Sequence, residues 1–549
     1  MSEYSIIGKP TPNVDGPAKV SGEAQYTFDL TLPNMLYGKL LRSPYPHAKI
    51  VSIDTSEAEK LPGVKAIITG KDTPGGKYGL WRRFRELTDQ ECLAKGKVRF
   101  IGDPVAATTE EIAERALDLI EVEYEQLPAV FEPMDAIKDD APMVHDDFPN
   151  NINATRHIEW GDVDKAFKEA DYVREDRYVL HTQHPAPTEV HNSLASYDKG
   201  TGRLTVWSST QSPYFVQQGL ADALKMREGD IRVIKPHVGG GFGGKLSTMP
   251  DSVNAALLSM KTGRPVKIVL NRDEEFTATE HRTAMHLAIK IGLKKDGTLL
   301  AKDEAIGYSA FAYMTGGIFN WIHTPYAFFA AHIKVNIDGT VDLYTQASDI
   351  GQGRNTVAAM ICAEELGIGL DDIRLHLGDT AHTWTDLGAW GSRETLMNGN
   401  AIKDAAAQVK EKLIAVARLK LGENIAYDLV AKNKRIYLEL RPERGFSYYD
   451  IVKDAIKAND GVPLTGEGFK SHTREGEKGK RNLQRHSQTQ INVIAPMYYS
   501  LSSTEQCNAS GCPIESWLLG TLDRWQKRFR QSSRVSSIRV RSVFVHSPQ

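Results

Sequence analysis

The 549-residue sequence holds only four cysteines, Cys92, Cys362, Cys507 and Cys512, and no two of them stand at C-x-x-C spacing. That absence argues against a zinc knuckle or an iron–sulfur cluster held by this chain, so a redox relay is expected on another polypeptide. No stretch approaches the roughly 18 uninterrupted apolar residues that a membrane span needs. The opening MSEYSIIGKPTPNVDG lacks a cationic segment followed by an apolar run, which makes a cytoplasmic location the expectation. Charge of one sign is also missing: 67 Lys and Arg stand against 70 Asp and Glu, without a long single-sign block. This leaves no electrostatic footprint for nucleic acid or an anionic membrane, and small-molecule substrates and protein partners remain.

What is present is an ordinary composition, 41% hydrophobic and 25% charged. The chain is too long for one hydrophobic core, so several domains are expected. The patterning reads as α+β. EEIAERALDLIEVEYEQLP sets Ile112, Ala116 and Ile120 at helical spacing, then alternates at Val122 and Tyr124 as a strand does. LASYDKGTGRLTVWSS, IKIGLKKDGTLLAKDEA and IKVNIDGTVDLYTQ each read as strand, glycine-bearing turn and strand. In the last, Ile333, Val335 and Ile337 share a face before Asp338-Gly339, and Val341 and Leu343 resume the alternation. Helices are predicted in NTVAAMICAEELGI and in AIKDAAAQVKEKLIAVARLKLG, where Ile402, Ala406, Val409, Leu413 and Val416 form an apolar stripe for packing. From Ser471 the chain turns Ser-, Arg- and Gln-rich, with twelve Lys and Arg against five acidic residues. Both periodicities fade there, apart from a short helix at ESWLLGTLDRWQKRF. A natural basic tail and a change of reading frame near EGEKGKRNLQ both explain the shift.

The feature that carries chemistry is KPHVGGGFGGKLSTM, residues 235–249. Gly239 to Lys245 satisfy the first seven positions of G-x-x-x-x-G-K, but Leu246 stands where a magnesium-holding hydroxyl is required and Ser247 is one position late, so a triphosphate loop is rejected. Glycine instead lets peptide N–H groups approach a ligand with no Cβ in the way, as a buried anionic or oxo-bearing cofactor needs. SDIGQGRNTVAAM places Gly351-Gln352-Gly353 between a hairpin and a helix, so that N–H groups and one amide converge at a helix N-terminus. DLGAWGSRETLMNGNA puts Gly391, Ser392, Arg393 and Thr395 at another helix start. Three anion-suited loops without a magnesium site suggest one extended, phosphate-bearing cofactor.

In the order SSTQSP, GGGFGGK, DIGQG and GSRETLMNGNA, the sequence resembles the large, molybdopterin-binding subunit of the xanthine dehydrogenase and aldehyde oxidase family of molybdenum hydroxylases. The likeness covers residues 8 to 470 and includes DGPAKVSGEAQYTFDL, LRSPYPHAKIVSIDTSEAEKLPGVKAIITGKD and KVRFIGDPVAA, which resemble the a/b hammerhead domain. It implies a hammerhead domain over 1–135, a first molybdopterin-binding domain over 136–330 that is truncated at its end, a partial second one over 331–470, and an atypical basic tail over 471–549. It further implies a molybdopterin cofactor in the cytosine dinucleotide form, with molybdenum held by the pterin dithiolene rather than by side chains. Partner subunits would carry [2Fe-2S] clusters and FAD. By position, the resemblance places Gln211 at the molybdenum oxo group, and Gly240, Gly241, Phe242, Gly243 and Gly244 in a loop whose Phe-Gly N–H groups lie beside the metal. It places Gly351, Gln352 and Gly353 at the pterin and its phosphate, and Ser392, Arg393 and Thr395 at the dinucleotide. The implied reaction is hydroxylation or reduction of an aldehyde, aromatic or N-heterocyclic substrate. The hammerhead region leans toward 4-hydroxybenzoyl-CoA reductase, which works reductively.

Two family stretches have no counterpart. A-F-R-G-F-G is absent from AYMTGGIFNWIHTPYAFFAAHIKVN, which runs directly from one sheet region to the next. The C-terminal G-x-G-E, whose glutamate is the family's general base, is matched neither by LTGEGFK nor in the tail. No catalytic residue is therefore assigned, and Glu189, Glu280 and Glu467 are read as structural. A missing base costs roughly 10²–10⁴-fold in rate. The primary reading is an enzyme subunit; the alternative is a non-catalytic remnant of one that lacks that glutamate.

Overall fold

The computed structural model describes residues 4–79, 88–109, 113–146, 148–306, 328–346, 348–422, 428–471 and 537–545. Its largest sheet has seven strands in the order Ile231–Ile234, Arg203–Ser208, Asn192–Asp198, Val266–Val269, Leu36–Arg42, Pro104–Thr109 and Ile67–Thr69. The expected hairpin at its centre forms, pairing Ser193 with Ser208 through to Asp198 with Arg203. The next neighbours, Arg203–Ser208 and Ile231–Ile234, run parallel, with Val206 opposite Val233. Parallel neighbours need a crossover, and helix Pro213–Leu224 supplies it. Ser212 caps that helix by accepting from Phe215 N–H, with Pro213 preset at its first position. Helix Pro250–Thr262 packs beside it and stops at the left-handed Gly263. Their shared core joins Leu204, Val233, Leu220 and Leu258 to Leu36 and Leu40, so packing runs across the 135/136 boundary.

A second core forms over a four-stranded sheet ordered Ile373–Leu377, Val341–Thr345, Phe328–Val335 and Thr465–Ser471. Helices Arg354–Leu366, Gly399–Leu421 and Tyr448–Ala458 contribute to it. The predicted stripe is its spine: Ile402, Ala406, Val409 and Leu413 are fully buried, with Val416 half-buried at the edge. Each large apolar side chain contributes about 1.5–3 kcal/mol there. The hairpin register pairs Val335 with Val341. Ile337 departs from expectation, being 61% exposed. The strand ends at Val335, and the chain turns through Asn336, whose carbonyl accepts the Gly339 N–H, so the alternation does not reach Ile337.

The five-stranded sheet runs Tyr172–Leu180, Met285–Leu293, Leu299–Ile306, Ser537–Val545 and Ile152–Trp160. Its fourth member lies in the basic tail, where the sequence patterning predicts no strand. Ser537–Val545 lies parallel to Leu299–Ile306 and antiparallel to Ile152–Trp160, hydrogen-bonded on both edges. The signal was local: in SIRVRSVFV, Ile538, Val540 and Phe544 alternate with Arg539 and Arg541, a pattern lost when the whole tail is averaged. Ile112, the ESWLLGTLDRWQKRF segment and residues 312–327, where A-F-R-G-F-G has no counterpart, lie outside the described residues. Among the described residues no helix is long and apolar enough to cross a membrane.

Candidate functional site

Two pairs of parallel strands decide where the motifs meet. Arg203–Ser208 and Ile231–Ile234 end side by side, and their continuations are the Gln211 turn and the glycine loop. Val341–Thr345 and Ile373–Leu377 form a second parallel pair, continuing into the Gly351 turn and into residues 378–393. Loops beyond the carboxyl ends of parallel strands are where open α/β sheets gather ligand sites. The two pairs are stitched together: Lys235 N–H donates to Gly378 O at 2.7 Å, Thr380 N–H to Val233 O at 3.0 Å, and Lys235 Nζ to Asp349 O at 3.2 Å.

Gln211 is the central clasp. Its Oε1 accepts the Gly243 N–H at 2.8 Å and the Lys245 N–H at 3.4 Å, while its Nε2 donates to the buried Ala389 carbonyl at 2.7 Å. Its own peptide donates to Lys245 O at 2.8 Å and accepts from Ala389 N–H at 3.0 Å. Gly241 must be glycine because a Cβ would stand 2.5 Å from Gln211 Oε1. Gly243 sits at φ +98° with open space where its Cβ would be. Phe242 between them adopts φ +53°, a costly conformation for a bulky residue, and the residue is 72% exposed at the loop apex.

The Gly351 turn is satisfied largely from within. Gln352 Oε1 accepts the Ile350 N–H at 2.7 Å and its Nε2 donates to Ser348 O at 3.0 Å, so the amide helps to close its own turn. Asp349 accepts the N–H groups of Gly351 at 2.8 Å and Asn355 at 3.0 Å, placing a carboxylate at the start of helix Arg354–Leu366. Gly351, at φ +115°, has open space around its absent Cβ, and Gly353 is the left-handed N-cap.

In the last motif, Ser392 and Thr395 are exposed whereas Arg393 is buried, its guanidinium 3.8 Å from the Phe329 ring centroid and 5.1 Å from that of Trp390. Asp386 lies 3.7 Å away, and burial pulls the Arg393 pKa down to about 10. Arg354, at the start of its helix, approaches Glu394 at 3.4 Å and donates to Thr345 and Asn398. Burial, with Asp386 nearby, pushes Glu394 up to about 7. Arg354, Glu394, Thr395 and Asn398 line a small cavity, and Glu394–Asn398 winds as a π-helix, a form concentrated at functional sites. Lys235, Asp349, Arg354, Asp386 and Glu394 are not singled out by the sequence motifs. Charged residues flanking glycine motifs in otherwise apolar runs were the available signal.

Of Glu189, Glu280 and Glu467, the first is tied into the glycine loop. Glu189 is fully engaged with the glycine loop: its Oε2 accepts Gly239 N–H at 2.7 Å and Lys245 Nζ at 3.1 Å. Burial raises the Glu280 pKa. Glu467 lies on Thr465–Ser471, facing His332 at 3.9 Å.

The sequence and fold have close parallels among known proteins. The "Molybdopterin cofactor-binding domain" family matches residues 144–340 and again 290–494, and the "Aldehyde oxidase and xanthine dehydrogenase, a/b hammerhead domain" family matches residues 21–128. The nicotinate dehydrogenase large molybdopterin subunit of Eubacterium barkeri is 38% identical over 57% of this chain and 73% of its own. A probable xanthine dehydrogenase chain of Bacillus subtilis is 40% identical over 57% of this chain, a match spanning only 41% of that protein. The crystal structure of quinoline 2-oxidoreductase from Pseudomonas putida 86 shares the fold at a TM-score of 0.77 and 23% identity, covering 85% of this chain and 79% of that one. The chain belongs to the molybdopterin-binding large subunits of the xanthine dehydrogenase family of molybdenum hydroxylases.

Proposed function

We propose that this chain is the cofactor-holding catalytic subunit of an oxidoreductase that hydroxylates or reduces an aldehyde, aromatic or N-heterocyclic substrate, exchanging electrons with iron–sulfur and FAD subunits. The observation that carries the reading is the Gln211 clasp, which draws the glycine loop and residues 386–393 to one point. The residues suit an anionic pterin nucleotide. Arg393 Nε and Nη2, Arg354 Nη1 and Ser348 Oγ are buried without hydrogen-bond partners among the described residues, and Gly243 and Gly351 leave open space beside their peptides. The cytosine dinucleotide form is the one we assign.

When bound, a molybdopterin supplies the two-electron redox chemistry. The chain's part is to hold and orient it. Gln211 fixes the glycine loop against residues 386–393 and would offer its second Nε2 hydrogen to the bound group. The Phe242-Gly243 apex would lie against the same group, with the Gly243 N–H already given to Gln211 Oε1. The Gly351–Gly353 turn takes the pterin side, with Ser392, Arg393 and Thr395 toward the nucleotide. The exposed Phe242 ring caps the loop on the substrate side.

A second reading, a non-catalytic remnant, is favoured by one observation: Glu189, the carboxylate that touches the glycine loop, is tied to Gly239, Ser209 and Lys245 and is not free to act as a base. Metal analysis of the chain purified with its co-purifying partners, together with dye-linked turnover, separates the two. Stoichiometric molybdenum with turnover establishes the enzyme; molybdenum without turnover establishes the remnant; absence of both overturns the cofactor reading.

A further inference from the structure

We infer that Glu189 is the positioning residue of the glycine loop, holding both of its ends through a buried ion pair with Lys245. Residues 239 and 245 bracket the loop, and Glu189 binds each: Oε2 accepts Gly239 N–H at 2.7 Å and Lys245 Nζ at 3.1 Å. Ser209 completes the arrangement, donating to Glu189 Oε2 at 2.7 Å and accepting from Lys245 Nζ at 2.8 Å. Asn192 Nδ2 donates to the other oxygen at 3.2 Å. The approach is close enough that a Cβ on Gly239 would stand 2.6 Å from Glu189 Cβ. The side chain of Lys245 is fully buried and that of Glu189 10% exposed, so the Lys245 charge has no water as a substitute partner.

One further element on the same segment acts in concert. His191 Nε2 lies 2.8 Å from the Gly244 carbonyl, and its Nδ1 lies 2.9 Å from Glu275. A carbonyl only accepts, so Nε2 is the donor to Gly244, and Glu275 lies against the other ring nitrogen. Residues 189–191 thus grip the loop at Gly239, Gly244 and Lys245, while Gln211 holds Gly243 and the exposed Phe242 forms the apex. Breaking a buried ion pair by removing one charge is far more disruptive than removing both. Glu189→Gln keeps an acceptor for Gly239 but strands the Lys245 cation; Glu189→Gln combined with Lys245→Met removes the stranded charge.

The consequence for the cofactor rests on the function proposed above, but the clamp is tested without it. Chymotrypsin is applied to the full-length chain free of cofactor, and cleavage after Phe242 is timed against cleavage after Tyr449, which is 48% exposed and belongs to the second core's helix Tyr448–Ala458. Glu189→Gln is expected to speed the Phe242 cut roughly tenfold relative to the Tyr449 cut, and the double variant to bring the ratio back toward the original. A change at both sites together marks general unfolding and overturns the inference. So does an unchanged ratio in Glu189→Gln, or a double variant cut as fast as the single. Molybdenum retention, measured on the same variants after cofactor loading, is expected to follow the cleavage ratio. If the unaltered chain takes up no molybdenum, the function fails while the cleavage result still decides the clamp.

Discussion

Gln211 Oε1 accepts the Gly243 N–H at 2.8 Å, so the side chain and the loop apex that the family likeness assigns separately to one metal centre also hold each other. Gln211→Leu would strand the Ala389 carbonyl and the Lys245 N–H, both in buried residues. The expected loss is about 2–4 kcal/mol in urea unfolding, with molybdenum content falling alongside. A variant as stable as the original chain would show that the clasp carries no load.

Glu394 gives stability a pH dependence. Burial holds its pKa up at about 7, against 4.5 for the free side chain. The fold therefore favours the protonated form. Its contribution is complete below about pH 4.5 and is lost as pH rises through about 7. Glu394→Gln should flatten the fall in unfolding midpoint between about pH 5 and pH 8.

Lys235 works in the opposite sense. Burial draws its pKa down from 10.5 to about 8, so the fold favours the neutral amine. Its contribution is present above about pH 10.5 and is lost as pH falls through about 8, amounting to about 3 kcal/mol. In Lys235→Met, the rise in stability from pH 8 to pH 10 seen in the original chain should disappear from denaturant midpoints.

Ser537–Val545 is hydrogen-bonded on both edges. Arg541→Pro removes one backbone donor and disturbs both ladders. Hydrogen exchange should quicken in Leu299–Ile306 and Ile152–Trp160, and stay unchanged in Val341–Thr345. Unaltered protection in the first two would mean that the strand contributes nothing to that sheet.

Local pattern made much of the molecule legible from its residues. The hairpins at Asn192–Ser208, Met285–Ile306 and Phe328–Thr345, the Ile402–Leu413 stripe and the rejection of a magnesium loop at Leu246 each depend on neighbours a few positions apart. Family likeness added the cofactor and the loops that would meet it. The strand Ser537–Val545 was equally local, and was lost by averaging over its surroundings.

The sequence by itself determined which segments are glycine loops, which helices bury a face, and that no two cysteines stand at C-x-x-C spacing. Only the tertiary structure decided what those loops do with their polar groups. It turned the Gln352 amide back into its own turn, set Asp349 on the helix start, buried Arg393 between two aromatic rings, and bound Glu189 to Lys245 across 56 positions. The reason is physical: periodicity follows from backbone geometry repeated every two or 3.6 residues, whereas a buried polar group takes whichever partner the parallel strand ends bring within hydrogen-bonding distance.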